Sequence, residues 1–287
     1  MDIKRVREIH PCFGAKQNRG RIHLPVCPGC NMECRFCDRK INETENRPGV
    51  TGSIIQPEQA IHYIERALKF CPELSVVGIA GPGDSLVTDN AIKTFRLVGK
   101  TFPHLLKCMS TNGLLLQERA DELIDIGLDT LTVTVNAVDP KIQAKIINGL
   151  IYHKKRYSGE EAGRILIQNQ LAGIQKMASA GVLIKVNTVL VNEINRDHIK
   201  SVAKKVKEAG ASIYNIIPLI PQHDLKNCEV PTCADIEGVR WEAGKYIDVF
   251  RHCQHCRADA VGIPGCNNFS QEVYRGEIQV KETFSHG

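Results

Sequence analysis

The sequence predicts an α/β fold, an incomplete barrel of six strand-helix units, and three observations carry that prediction. Short apolar and β-branched runs alternate with longer runs of helical periodicity, the alternation that a parallel sheet requires for its crossovers. Glycine follows directly on three of the helical runs, at Gly127, Gly181 and Gly210, where a helix stop is expected. The chain has 287 residues, 43% hydrophobic and 24% charged, which suits one barrel-sized unit and excludes a disordered or fibrous protein.

In chain order, residues 1–20 lack a long periodic run and are expected to form an N-terminal arm. A first strand over 21–26 leads into a cysteine-rich loop, and a helix over 56–71 starts at Pro57. Strands are then expected over 75–80, 105–110, 130–136, 182–191 and 212–219, each ended by polar, Gly or Pro residues. Helices over 90–101, 117–126, 159–180 and 196–209 connect them. The barrel thus occupies 21–222, and 223–287 forms a C-terminal tail rich in Cys, His, Pro and Gly, lying with the arm over one end of the barrel.

No stretch approaches roughly 18 consecutive apolar residues and the first ten residues hold no signal-like apolar core, so a cytoplasmic protein with no membrane partner is expected. The net charge of +5 is scattered, apart from short runs such as His153-Lys154-Lys155-Arg156, and nucleic acid is not an expected partner. Twelve cysteines in a reducing compartment point to metal or iron-sulfur chemistry before disulfides.

The loop after the first strand reads Cys27-Pro-Gly-Cys30-Asn-Met-Glu-Cys34-Arg-Phe-Cys37. Cys30, Cys34 and Cys37 form C-x3-C-x2-C, which brings three thiolates onto one four-iron cube and leaves its fourth iron open. An open iron is what a radical S-adenosylmethionine (SAM) enzyme needs, because the methionine end of SAM chelates it and one electron then cleaves the sulfonium. Phe36 fits the aromatic position of such a loop. Two C-x2-C pairs would also suit a structural zinc knuckle, but all four cysteines crowd into eleven residues at a strand end instead of a separate ribbon. The second expected strand ends in Gly78-Ile-Ala-Gly-Pro-Gly-Asp-Ser85, whose glycines allow close backbone approach to a SAM methionine group. SAM is expected across the strand ends, its methionine at Gly81, Pro82, Gly83 and Asp84 and its ribose or adenine at Ser110, Thr111, Asn112, Asn136 and Asn187. Cys253 and Cys256, another C-x2-C with His252 and His255 around it, can clamp a further cluster or form half a zinc site, and Cys12 on the arm is an additional candidate ligand.

Further stretches stand out beside the three-cysteine loop: His10-Pro-Cys-Phe13, Ile22-His-Leu-Pro25, Asn46-Arg-Pro-Gly-Val50, Ala80-Gly-Pro-Gly-Asp84, Ser110-Thr-Asn-Gly113 and Thr134-Val-Asn-Ala-Val-Asp-Pro140. They continue through Lys155-Arg-Tyr157, Lys185-Val-Asn187, Pro218-Leu-Ile-Pro221 and His252-Cys-Gln-His-Cys-Arg-Ala-Asp-Ala-Val-Gly262. By these stretches the chain resembles the NifB family, radical SAM maturases of the nitrogenase cofactor, over nearly its whole length. The resemblance implies a radical SAM partial barrel with cluster-binding extensions at both ends. It implies three [4Fe-4S] clusters: one that binds SAM, and two substrate clusters fused with a SAM-derived carbon into an eight-iron product. It implies as partners an iron-sulfur cluster donor, a one-electron reductant, and the assembly and carrier proteins of nitrogenase. With it, Cys108 becomes a ligand; Cys12, Cys253 and Cys256 are expected on one substrate cluster, and Cys108 with His23 or His10 on the other.

One departure matters. The family carries a cysteine shortly before Arg-Pro-Gly-Val, and here that segment reads Lys40-Ile-Asn-Glu-Thr-Glu-Asn-Arg47. Either Cys27, or the oxygen ligands Glu43 or Glu45, replace it, or one substrate cluster is bound more loosely, or the chain is a paralogue acting on an organic or peptide substrate with auxiliary clusters.

Overall fold

The computed structural model describes residues 3–14, 18–38, 41–42 and 45–274. The strands in chain order are β1 (Gly20–His23), β2 (Met32–Cys34), β3 (Leu74–Ile79), β4 (Leu106–Thr111), β5 (Thr130–Thr134), β6 (Ile147–Tyr152), β7 (Lys155–Tyr157), β8 (Leu183–Leu190), β9 (Ile213–Pro218) and β10 (Val261–Gly262). The main sheet has the order β10-β1-β3-β4-β5-β8-β9. Its pairs are parallel except β1 with β10, so the six predicted strands form a curled, incomplete barrel. β1 ends at His23, short of expectation, because Pro25 has no N–H to continue the ladder after Leu24 N bonds the Gly78 carbonyl.

Helices Ala60–Phe70, Asn90–Thr101, Leu116–Asp125, Gly159–Ser179 and Ile199–Glu208 match the predicted crossovers. Their apolar stripes, including Ile64, Phe95, Leu123, Ile174 and Val202, join one core with Val77, Met109, Leu131, Ile184 and Ile216 from alternate strand positions. That periodicity of two leaves the intervening residues facing the barrel interior. Register sorts these into three tiers. His23, Gly78, Cys108, Thr130 and Leu183 are level with one another; Ser110, Thr132, Lys185 and Ile213 lie one step higher; Thr134, Asn187 and Asn215 lie above them. Each step is about 6.6 Å, two residues of strand rise.

A second sheet, β2-β6-β7, is antiparallel and was not expected from the sequence. Its β6-β7 turn places His153 and Lys154 at φ of 49° and 63°, a primed-type turn made without the Asn or Gly that normally signals one. Cys34 lies in β2, opposite Ile147 of β6, so this hairpin buttresses the cysteine loop.

The extensions also differ from expectation. The arm contains the helix Ile3–Ile9, and the tail contains the helix Cys233–Gly244, started by a capping box in which the Thr232 hydroxyl accepts from Asp235 N and the Asp235 carboxylate accepts from Thr232 N. Val6 and Phe13 of the arm and Phe250 of the tail pack on Leu183 and Ile213, the first residues of β8 and β9. Arm and tail therefore close the barrel where the strands begin, because three apolar side chains fill the opening there. No helix among the described residues is long and apolar enough to cross a membrane.

Candidate active site

The barrel encloses a cavity of about 280 Å³ that runs through all three tiers. At its upper end Cys30, Cys34 and Cys37 line the wall together, facing Pro82, Gly83 and Asp84. The Gly-Pro-Gly-Asp turn is stitched to the cysteine loop: Gly83 N donates to the Cys27 carbonyl and Asp84 N to the Gly29 carbonyl, both at 2.8 Å. A Cβ on Gly83 would lie 1.9 Å from the Gly29 oxygen, so glycine is required by this approach. The buried Asp84 carboxylate accepts from Thr111 Oγ1 at 2.9 Å, Asn112 N at 2.5 Å and Leu86 N at 3.0 Å, and so ties the turn to the end of β4. Asn112 Nδ2 points at Cys30 Sγ, 3.9 Å away.

Of the residues expected around SAM, Pro82, Gly83, Asp84, Ser110, Thr111, Asn112 and Asn187 line this cavity. Gly81 and Asn136 do not. Gly81, at φ of 117°, faces Ala258. Asn136 is buried, its Oδ1 accepting from Val189 N and its carbonyl from Asn195 Nδ2, which ties the ends of β5 and β8 together.

At the lower end Cys12, Cys108, Cys253, Cys256 and His23 line the same cavity. Cys108 points inward as expected, but from the first half of β4, level with Thr130, the first residue of β5. Burial pushes the Cys12 thiol up to about 12; Lys185 opposes this, and the nearby Cys256 and Cys108 add to it. Cys12 therefore lies within electrostatic reach of both expected ligand sets, while it packs with Cys253 on the Phe13 and Phe250 cluster. Burial also raises Cys108. Such thiols stay protonated until a metal displaces the proton.

The two histidines separate by hydrogen bonding. His23 Nδ1 stands 2.9 Å from the Arg257 carbonyl, a contact that makes this nitrogen the donor and leaves Nε2 with its lone pair, the arrangement common to ligating histidines. Its ring rests where a side chain on Gly78 would sit, 2.7 Å from the Cβ that residue lacks. Burial, chiefly, brings its pKa down to about 4, so the ring is neutral. His10 Nδ1 instead accepts from Cys12 N at 3.1 Å, which puts the proton on Nε2, and that atom is buried without a partner. With no lone pair to offer and no place on the cavity wall, His10 positions Cys12 and is not itself a ligand.

Cys27 is a second correction. It is fully buried in the main core, bridged to Pro82, with burial raising its thiol to about 12, and it does not reach the cavity. The zinc-knuckle arrangement fails for the same reason, since the fourth thiol turns away from the other three. Among the described residues, no three His, Cys, Asp or Glu groups converge on a single metal ion. The upper triplet with its Gly turn does fit a SAM-binding four-iron cluster: three half-buried thiols share one wall, with an amide N–H aimed at one sulfur.

The profile of the Radical SAM superfamily matches residues 24–206. FeMo cofactor biosynthesis protein NifB of Methanocaldococcus infernus is 47% identical over 278 residues, covering 96% of this chain and 92% of that protein. The Klebsiella pneumoniae protein of the same name is 41% identical over 268 residues, 89% of this chain and 57% of its own length. The chain belongs to the NifB family. It is a radical SAM enzyme, and solved structures share its fold at low identity. A methyltransferase from Sphaerobacter thermophilus gives a TM-score of 0.60 at 17% identity, covering 81% of this chain and 65% of that one. SuiB of Streptococcus suis with bound SAM gives 0.61 at 11%, covering 83% and 52%.

Where NifB proteins were expected to carry a further cysteine, Asn42 Nδ2 donates to Glu45 Oε1, Arg47 Nε donates to Glu45 Oε2 and Arg257 donates to the Asn42 and Glu45 carbonyls. Glu45 is thus held by its own neighbours, and Glu43 lies outside the described residues. Sequence reasoning passed over Lys185, Arg21 and Asn215. Lys185 and Asn215 line the cavity, and Arg21 reaches Cys256. Their signal was parity: Arg21 alternates with His23, and Lys185 with Asn187, on the inward side of their strands.

Proposed function

We propose that this enzyme builds the iron-sulfur core of the nitrogenase cofactor, fusing two [4Fe-4S] substrate clusters with a SAM-derived carbon into an [8Fe-9S-C] precursor. The observation that carries the reading is the shape of the cavity, which has one thiol triplet at the upper end and a second set of thiols with His23 at the lower end of the same chamber. Radical SAM enzymes that act on organic molecules need the first set; a second set facing it suits a substrate that is itself iron-sulfur.

A SAM-loaded four-iron cluster at the upper end supplies one-electron cleavage of the SAM sulfonium. Cys30, Cys34 and Cys37 hold it, and Asp84 keeps the Gly turn against their loop. Ser110, Asn187 and Asn215 give the SAM ribose polar partners, while Ile79, Met32 and Ile217 shed water from the chamber. Below, Cys12, Cys108, Cys253 and Cys256 with His23 Nε2 bind the substrate clusters. A missing family cysteine leaves one of those clusters with fewer strong ligands, and it should be lost first to a chelator. A cluster donor, a one-electron reductant and assembly proteins that take up the product are the partners this chemistry needs.

Iron content and EPR of anaerobically reconstituted protein, with and without SAM, test the reading. Three cubes give about twelve irons per chain. About four irons would refute the proposal and leave a radical SAM enzyme for an organic or peptide substrate.

A further inference from the structure

Two buried cations face the lower thiols with no carboxylate to balance them. Lys185 is 6% exposed; its Nζ donates to the Cys12 carbonyl at 3.2 Å and stands 5.2 and 5.4 Å from the ring centres of Phe13 and Phe250. Arg21, 5% exposed, donates to the Gly262 carbonyl and, at 3.2 Å, to Cys256 Sγ, and its Nε is without a partner. Among the described residues neither forms an ion pair. Of the nearby acids, Asp259 is engaged by Arg257 and Asp129 by Lys107 N, and Glu73, which with Arg21 acts on Cys71, is solvent-exposed.

Burying a cation without a counter-anion is costly. Lys185 lines the chamber itself, and Arg21 reaches it through Cys256, which lines both the chamber and the adjoining cavity where Arg21 lies, so the chamber suits an anionic occupant bound at Cys256. A cube with a 2+ core on three thiolates carries a net charge of about −1, and about −2 after one-electron reduction. Lys185 stands one tier above Cys108 and His23, so its ammonium faces the body of a cluster held there, whereas Arg21 addresses the sulfur of one ligand.

Resting on the function proposed above, we propose that Arg21 and Lys185 are positioning residues for the substrate clusters, Arg21 orienting the Cys256 sulfur by an N–H···S bond and Lys185 countering the cluster's charge. A cation beside a cluster, and a hydrogen bond to its sulfur, both favour the reduced, more negative state. The pair thus retains the substrate clusters and raises their reduction potentials relative to the same ligands alone.

The test uses the full chain, reconstituted anaerobically with iron and sulfide, as wild type, Lys185→Met, Lys185→Arg, Arg21→Gln and Arg21→Lys. EPR-monitored redox titration and the rate of iron loss to a chelator are the readouts, with the SAM-cluster signal as the internal control for folding. Lys185→Met and Arg21→Gln should each lose substrate-cluster iron about tenfold faster. Each should also shift a substrate-cluster potential negative by about 59 mV, a tenfold change in a one-electron equilibrium. Lys185→Arg should restore both readouts, and Arg21→Lys, which keeps the charge without the fork, should restore them in part. Wild-type rates and potentials in Lys185→Met and Arg21→Gln would overturn the inference, as would failure of Lys185→Arg to rescue. If Lys185→Met loses its SAM-cluster signal as well, the Arg21 pair decides by the same criteria. Wild-type protein holding about four irons would instead remove the functional reading on which the inference rests.

Discussion

Replacing Gly83 by Ala tests the joint between the cysteine loop and the Gly-Pro-Gly-Asp turn. The new Cβ would stand 1.9 Å from the Gly29 oxygen, 2.5 Å from its carbonyl carbon and 3.0 Å from the Cys27 oxygen, all of them backbone atoms with no rotamer to escape into. Ordinary contact begins near 3.4 Å, so the turn has to move by about 1.5 Å. That movement breaks the two 2.8 Å hydrogen bonds across the joint. Each is worth about 0.5–1.5 kcal/mol and the overpacking adds about 1–3 kcal/mol, so a loss near 4 kcal/mol is expected. For a chain of this size that lowers Tm by about 8–16 °C. The displaced turn should also weaken SAM binding by at least about tenfold, a 1.4 kcal/mol change. Calorimetry of the apoprotein and equilibrium SAM binding to reconstituted enzyme measure the two effects. A Tm within about 2 °C of wild type with unchanged SAM affinity would refute the reasoning.

Cys34→Ala should form no 5′-deoxyadenosine from SAM under reducing conditions; normal cleavage would remove Cys34 from the upper cluster. Cys27→Ala should keep the wild-type iron content and lose only about 1–2 kcal/mol of stability, the cost of a small core cavity; a loss of about four irons would return Cys27 to the ligands. Because burial holds His23 near pKa 4 while an unfolded histidine titrates near 6.5, the unfolded chain takes up protons first as pH falls. Apoprotein stability should therefore be full above about pH 6.5 and decline toward pH 4, a slope to which His10, lowered for the same reason, adds. His23→Gln should flatten that decline, and an unchanged Tm-against-pH curve in this variant would contradict the assignment.

The six parallel strands were legible because their outward faces are apolar and β-branched residues fill much of the rest, as in TLTVT and LIKVNTVL, and because Gly127, Gly181 and Gly210 close the helices between them. The upper thiols were legible because Cys30, Cys34 and Cys37 are neighbours in sequence as well as in space. The lower end was harder. Cys12, Cys108 and Cys256 are far apart in the chain, and nothing local distinguishes Cys108 from a packing cysteine; ladder register places it inward and low. His10 and His23 looked equivalent until their Nδ1 partners were known, one an N–H and the other a carbonyl. The β6-β7 hairpin escaped notice because His153 and Lys154 occupy positions that usually advertise themselves with Asn or Gly. Asn136 read as a ligand-facing polar residue at a strand end, and its Oδ1 accepts from the backbone of β8 off the cavity wall.

The pairing of β10 with β1 sets an order of events on the ribosome. The SAM-binding cysteines and their turn emerge with the first third of the chain, and their supporting strands follow in sequence. The lower chamber has to wait: Cys253 and Cys256 are made late, and they are drawn to Cys12 and Arg21 once Val261 and Gly262 dock beside Ile22 and Arg21. Tyr274 then fastens the junction through its hydroxyl on the His23 carbonyl. The lower end of the cavity is thus completed only by residues from the last part of the described chain, whereas the upper thiols and their turn lie within its first third.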